Sequence, residues 1–158
     1  MTDADSLMTD KYGRRITDVR IALNSACNLR CIYCHHEGEV ANGCVREEAG
    51  EPLTTEELVE VLTAFQKMGV KTVKLTGGEP TLRSDLAEII RSIPKGMEIS
   101  LTTNGTRLKD IAQELKEAGL SRVNISLDTM NRDRYKKITG RDLLPDVLDG
   151  LQAALDAG

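Results

Sequence analysis

The sequence has no tryptophan and a single phenylalanine among its 158 residues. With aromatics at 3% of the chain, its core has to be aliphatic. Positive charge is not in excess either. Lys and Arg number 21 against 25 Asp and Glu, a net charge of −4. That argues against a nucleic-acid binder, which would need a broad basic surface, though not against a local basic pocket for one anion. No apolar run approaches a membrane span, and Met1–Asp10 is too polar for a signal peptide. Three of the four cysteines crowd into eight residues without a secretory signal, which argues against an extracellular disulfide framework. The expected setting is the cytoplasm, with no membrane and no nucleic acid as partner.

What is present reads as one domain with alternating strands and helices. Residues 1–12 are expected to form a flexible leader and 13–158 the core. From Arg15 the apolar period is two, with Val19, Ile21 and Leu23 on one side and Arg20, Ala22 and Asn24 on the other. Thr54-x-x-Glu57 is a capping box that opens a helical stripe from Leu58 to Met68, stopped by Gly69. Strands are predicted over Lys71–Thr76, Met97–Thr102 and Arg122–Leu127. Helices are predicted after Ser84 (read as the cap), over Leu108–Ala118, near Asp133–Ile138, and from Pro145 to about Ala157.

This β/α alternation predicts a parallel sheet. A doubly wound sheet buries both faces and shows continuous apolar runs. These strands instead pair one apolar face with one polar face, as expected of an open, partial (β/α) barrel with helices outside and a wet cavity inside. Only about four units are present, so the last strand would be an exposed edge, as in the amino-terminal portion of a longer protein. The unusual residues all follow strands: the cysteine loop, Gly77-Gly78-Glu79-Pro80, Asn104-Gly105 and Asp128. Barrel enzymes place their chemistry at those carboxyl ends.

Cys27, Cys31 and Cys34 stand at C-x3-C-x2-C spacing. Thiolates are soft ligands for zinc or iron–sulfur clusters. Three of them could hold three irons of a cubane and leave the fourth open. Alternatively, a zinc knuckle could be completed by His35, His36 or Cys44. The two glycines of Gly77-Gly78 allow close backbone approach, and Glu79 offers a carboxylate to a cationic group.

The triplet, with Tyr33 before its last cysteine, and the Gly77–Pro80 turn together resemble the radical S-adenosylmethionine (SAM) superfamily. Lys74–Pro80, Leu101–Gly105, Arg122–Asp128 and Ile138-Thr139-Gly140 follow in order. The run from about Gly13 is similar to the GTP 3′,8-cyclases, the radical SAM family that opens molybdenum-cofactor biosynthesis. The resemblance implies a [4Fe–4S] cluster on Cys27, Cys31 and Cys34. It implies SAM at Tyr33, Gly78, Glu79 and Ser126, with Glu79 on the ammonium group, and GTP at Arg20, Lys74 and Thr102. Without it, Arg20 reads as a surface ion pair, and Thr102 and Ser126 as ordinary strand residues. It further implies a 5′-deoxyadenosyl radical that removes a ribose hydrogen before the ribose joins C8 of guanine. A flavodoxin- or ferredoxin-like electron donor is implied as well, and a homodimer is compatible.

The sequence departs from the family at His35-His36, where Met-Pro is common, and lacks the region of the second, carboxyl-terminal cluster and the late basic residues. His35 and His36 are expected to stay off the cluster, and Cys44 to be a free thiol. Other readings are a radical SAM enzyme acting on a peptide or cofactor precursor, and a structural zinc module.

Overall fold

The structure, a computed structural model, describes residues 7–34 and 51–158. His35, His36 and Cys44, like the first six residues of the expected leader, lie outside the described residues. Four strands, β1 (Asp18–Ala22), β2 (Thr72–Thr76), β3 (Glu98–Thr103) and β4 (Arg122–Ile125), form one sheet in the order β1-β2-β3-β4. Every pairing is parallel, and Arg20, Lys74, Ser100 and Arg122 stand in one row across it.

Five α-helices complete the described chain: α1 (Thr55–Lys67), α2 (Leu86–Ser92), α3 (Leu108–Ala118), α4 (Arg132–Thr139) and α5 (Leu144–Ala157). None of the described helices is long and apolar enough to cross a membrane. The capping box at α1 forms as expected: Glu57 N–H donates to the Thr54 hydroxyl at 3.2 Å, and Thr54 N–H to Glu57 Oε2 at 2.8 Å. Gly119 ends α3 in the left-handed region, at φ 111°.

The predicted phase of the strands holds. Val73, Leu75, Ile99 and Leu101 are buried against Leu58 and Leu62 of α1, Ile89 and Ile90 of α2, and Leu108 and Leu115 of α3. Each such side chain stabilises the fold by about 2 kcal/mol relative to exposure. A smaller cluster of Tyr135, Leu144 and Val147 joins α4 to α5. Arg20, Lys74 and Thr102 take the opposite phase, on the face that the helices leave uncovered.

Several local expectations change. The part of the leader from Met8 is anchored, because Met8 N–H donates to Met68 O and Ile16 N–H to Met8 O, both at 2.9 Å. The first strand begins at Asp18 rather than Arg15; Arg15 is drawn into an antiparallel bridge with Thr9. Ser84 does not cap α2. Asp85 stands at that position, but its carboxylate is occupied by Arg83, at 2.6 and 2.9 Å. Residues 80–82 form a short 3-10 turn where only an irregular turn was expected. The fourth strand stops at Ile125, although Ser126 N–H still reaches Thr103 O at 2.9 Å.

Candidate active site

The β1–β2 ladder runs on past both strand ends and carries the chain into the cysteine loop. Gly78 N–H donates to Asn24 O at 2.9 Å, and Glu79 N–H to Ala26 O at 2.7 Å. This contact requires the two glycines. A Cβ on Gly77 would lie 2.6 Å from Asn24 Oδ1, and one on Gly78 only 2.3 Å from Ala26 O.

The loop then arches over the neighbouring strand ends and is tied at each. After β3, Asn104 and Thr106 bond the side chain of Asn28, at 2.7 and 2.9 Å. At the end of α4, Thr139 O accepts from Arg30 N–H and Ile138 O from Ile32 N–H, at 2.8 and 2.9 Å. Gly140 sits directly on Arg30, where an added Cβ would be 3.0 Å from the arginine Cβ. After β4, Asp128 accepts from the Tyr33 hydroxyl at 2.7 Å. That bond holds the phenol well above its usual pKa. The Ile138–Gly140 stretch is therefore a seat for the loop, a role its spacing in the sequence does not show.

Cys27 and Cys31 are partly buried and Cys34 is exposed; all three are free thiols. Burial pushes the Cys27 thiol up first, and the charges of Glu79 and Cys34 add to it. Burial also raises Cys31, with contributions from the charges of Cys27, Cys34 and Asp128. Cys27 and Cys31, both pushed up by burial, suit a cationic iron–sulfur core, which offsets the thiolate charge on binding. Among the described residues, no three His, Cys, Asp or Glu side chains are grouped to hold a single metal ion. A cubane asks for a different arrangement, since each cysteine binds its own iron. Three free thiols, one for each of three irons, are the donor chemistry that such a cluster takes.

Beside the loop, on the uncovered sheet face, lies a cavity of about 560 Å³. Arg20 and Thr102, expected at GTP, and Gly78, expected at SAM, line it together. Asn24, Ser25 and Thr76, which spacing did not single out as ligands, line it too. Asn24 Oδ1 is buried with no hydrogen-bond partner, while its amide donates to Glu79 O at 3.0 Å. Lys74 is paired with Arg20 in the sheet but lies outside the lining. Tyr33 and Ser126 are exposed at the loop and beyond β4, also outside it.

Glu79 differs most from expectation. It is 1% exposed and turns away from the cavity, into the protein. Its Oε1 accepts from Thr81 N–H at 3.0 Å and from the hydroxyls of Thr81 and Thr103, each at 2.6 Å. Its Oε2 accepts from Asn104 N–H at 2.7 Å. The carboxylate expected on a ligand ammonium is spent within the fold. Among the described residues, Asn24 Oδ1 is a buried, unspent acceptor at the cavity wall.

Comparison with known proteins agrees with this geometry. Methylornithine synthase matches the fold with a TM-score of 0.66 at 19% identity, covering 89% of this chain and 42% of its own. A probable GTP 3′,8-cyclase from Archaeoglobus fulgidus is 47% identical over 152 residues, 96% of this chain and 49% of the relative. That of Pyrococcus abyssi is 48% identical, over 94% of this chain and 46% of the relative. That of Methanocella arvoryzae is 47% identical, over 96% and 48% respectively. The chain spans about half the length of the curated relatives it matches. The Radical SAM superfamily model matches residues 21–158, from within β1 to the last residue of the chain. With its thiol triplet, turn and half-open sheet, the chain belongs to the radical SAM superfamily.

Proposed function

We propose that this chain supplies the SAM-binding portion of a GTP 3′,8-cyclase that works in the cytoplasm. Its reaction would convert GTP to (8S)-3′,8-cyclo-7,8-dihydroguanosine 5′-triphosphate. The observation that carries this reading is one cavity, bordering the cysteine loop, that holds Arg20 and Thr102 together with Gly78. The names of the relatives support the choice of GTP.

Cys27, Cys31 and Cys34 would hold a [4Fe–4S] cluster. The cluster and SAM supply the one-electron cleavage that starts hydrogen abstraction, drawing on a flavodoxin- or ferredoxin-like donor. The chain's own residues bind and orient. The backbone of Gly77-Gly78 and the free Asn24 Oδ1 face SAM, with Tyr33 and Ser126 at its outer edge and Glu79 acting through the turn it braces. Arg20 offers a planar guanidinium to phosphate. Lys74 adds a point charge beside it, and the Thr102 hydroxyl orients the nucleoside. The ridge of Asn24–Cys34 over the strand ends shields the reacting atoms from water.

The test is anaerobic reconstitution followed by assay of 5′-deoxyadenosine, with and without GTP. Alanine at Cys27, Cys31 or Cys34 should abolish SAM cleavage. Arg20→Ala should weaken GTP binding at least tenfold while leaving SAM binding near normal. SAM cleavage indifferent to GTP, with no GTP binding, would overturn the choice of substrate.

A further inference from the structure

Three side chains close a ring beneath the cysteine loop. Asn104 Nδ2 donates to Asn28 Oδ1 at 2.7 Å, Asn28 Nδ2 donates to the Thr106 hydroxyl at 2.9 Å, and that hydroxyl donates to Asn104 Oδ1 at 2.8 Å. The ring runs in one sense only. Turning the Asn104 amide over would set oxygen against Asn28 Oδ1, and an NH₂ against Thr106 N–H, which now donates to Asn104 Oδ1 at 3.0 Å.

Asn104 is also gripped from behind. Its N–H is held by Glu79 Oε2, and Thr103, the residue before it, by Glu79 Oε1. Asn104 is 8% exposed and Glu79 1%. A fully buried carboxylate thus fixes a nearly buried carboxamide, and the carboxamide fixes Asn28, the residue after Cys27. One amide hydrogen of Asn104 is taken by Asn28. The Asn104 side chain is also a hydrogen-bond partner of the Cys27 sulfur.

We infer that Asn104 is a positioning residue for the iron–sulfur cluster: braced by Glu79 and Thr106, its carboxamide sets the backbone at Cys27 through Asn28 and presents an N–H to the iron-binding sulfur. This rests on membership of the radical SAM superfamily and not on the choice of GTP, so it stands or falls separately from the substrate. A hydrogen bond to a cluster sulfur favours the more negative, reduced state and raises the reduction potential. Glu79 and Thr106 act one step further back, by holding the amide in its single working orientation.

The experiment is redox titration and electron paramagnetic resonance of the anaerobically reconstituted protein, with iron and sulfide counted. Asn104→Ala should bind the cluster, lower its midpoint potential by at least a tenfold change in the reduced-to-oxidised ratio (about 59 mV for one electron), and alter the spectrum of the reduced cluster. Thr106→Val breaks the ring but leaves the amide, so the shift should have the same sign and be smaller. A folded Asn104→Ala protein that no longer retains iron also supports the role. Wild-type potential and spectrum in Asn104→Ala, at full iron content, overturn it. Should Asn104→Ala fail to fold, Asn28→Ser unties the amide without removing it. A lowered potential there supports the proposal, and an unchanged potential and spectrum overturn it.

Discussion

The cysteine loop and the helical layer behind the sheet are held in place by opposite means. Behind the sheet, α1, α2 and α3 bury aliphatic side chains against Val73, Leu75, Ile99 and Leu101, and few polar atoms take part. Across the strand ends, the loop buries one sizeable apolar side chain, Leu29 at 6% exposure, and otherwise depends on named hydrogen bonds to Gly78, Glu79, Asn104, Thr106, Ile138, Thr139 and Asp128. Burial is non-directional and tolerates volume-conserving exchange. A hydrogen bond fails when one atom is removed, and it leaves a partner unsatisfied. The layer therefore determines whether the protein folds. The polar ties determine where three sulfurs stand.

Substitutions of graded severity separate the two. Leu101, with no exposed surface, lies in the layer. Leu101→Ala should cost about 4 kcal/mol in urea denaturation, whereas Leu101→Met should cost no more than about 1.5 kcal/mol. A similar loss for both would show that the layer is as exacting as the loop. Gly78→Ala introduces a Cβ 2.3 Å from Ala26 O. It should destabilise by about 2 to 3 kcal/mol and reduce the iron retained after reconstitution far more than Leu101→Met does. Normal iron content would show that the loop does not depend on the turn beneath it.

Glu79→Gln sharpens the contrast, because it keeps the size of the side chain and alters four hydrogen bonds. An amide cannot accept at its nitrogen, so one buried donor from Thr81, Thr103 or Asn104 loses its partner. The expected loss is about 2 kcal/mol, with SAM affinity changed only in proportion to the loop's displacement. Full stability with a large rise in the Kd for SAM would return Glu79 to the ligand.

The smallest effect belongs to Asp85, which lies on the rim of the layer and pairs with Arg83 at 2.6 Å. Arg83 holds its carboxyl below the ordinary value of 3.8. The folded form therefore binds the proton less readily than the unfolded form. The stabilisation is complete above pH 3.8 and is lost as pH falls through the lowered folded value. Asp85→Asn should cost less than about 1 kcal/mol near neutrality, and its difference from the parent should vanish in acid. A difference that persists in acid would assign the effect to packing.

Much of this was legible in the residues. The alternation at Arg20, Lys74 and Thr102 put them on the polar face, and the capping box marked the start of α1. Both patterns are local: a side chain's face along a strand follows from its neighbours two positions away. Leu127 shows where periodicity overreaches, since it continues the alternation of β4 while the ladder has already ended at Ile125. Ser84 shows the same for caps. A good capping residue lost the position to Asp85, one residue later, which Arg83 had already engaged.

By itself, the sequence determined the order of the elements, the two-sided character of the strands and a thiol spacing that suits zinc or an iron–sulfur cluster. Only the tertiary structure decided where the polar side chains between those elements end up. Thr102 and Thr103 are neighbours of the same type, yet one lines the cavity and the other bonds Glu79. Asn28 and Asn104 meet across 76 residues. No local pattern encodes such a meeting, because it depends on how parallel strands bring their carboxyl ends together, and a turn residue such as Glu79 takes its direction from the partners assembled there.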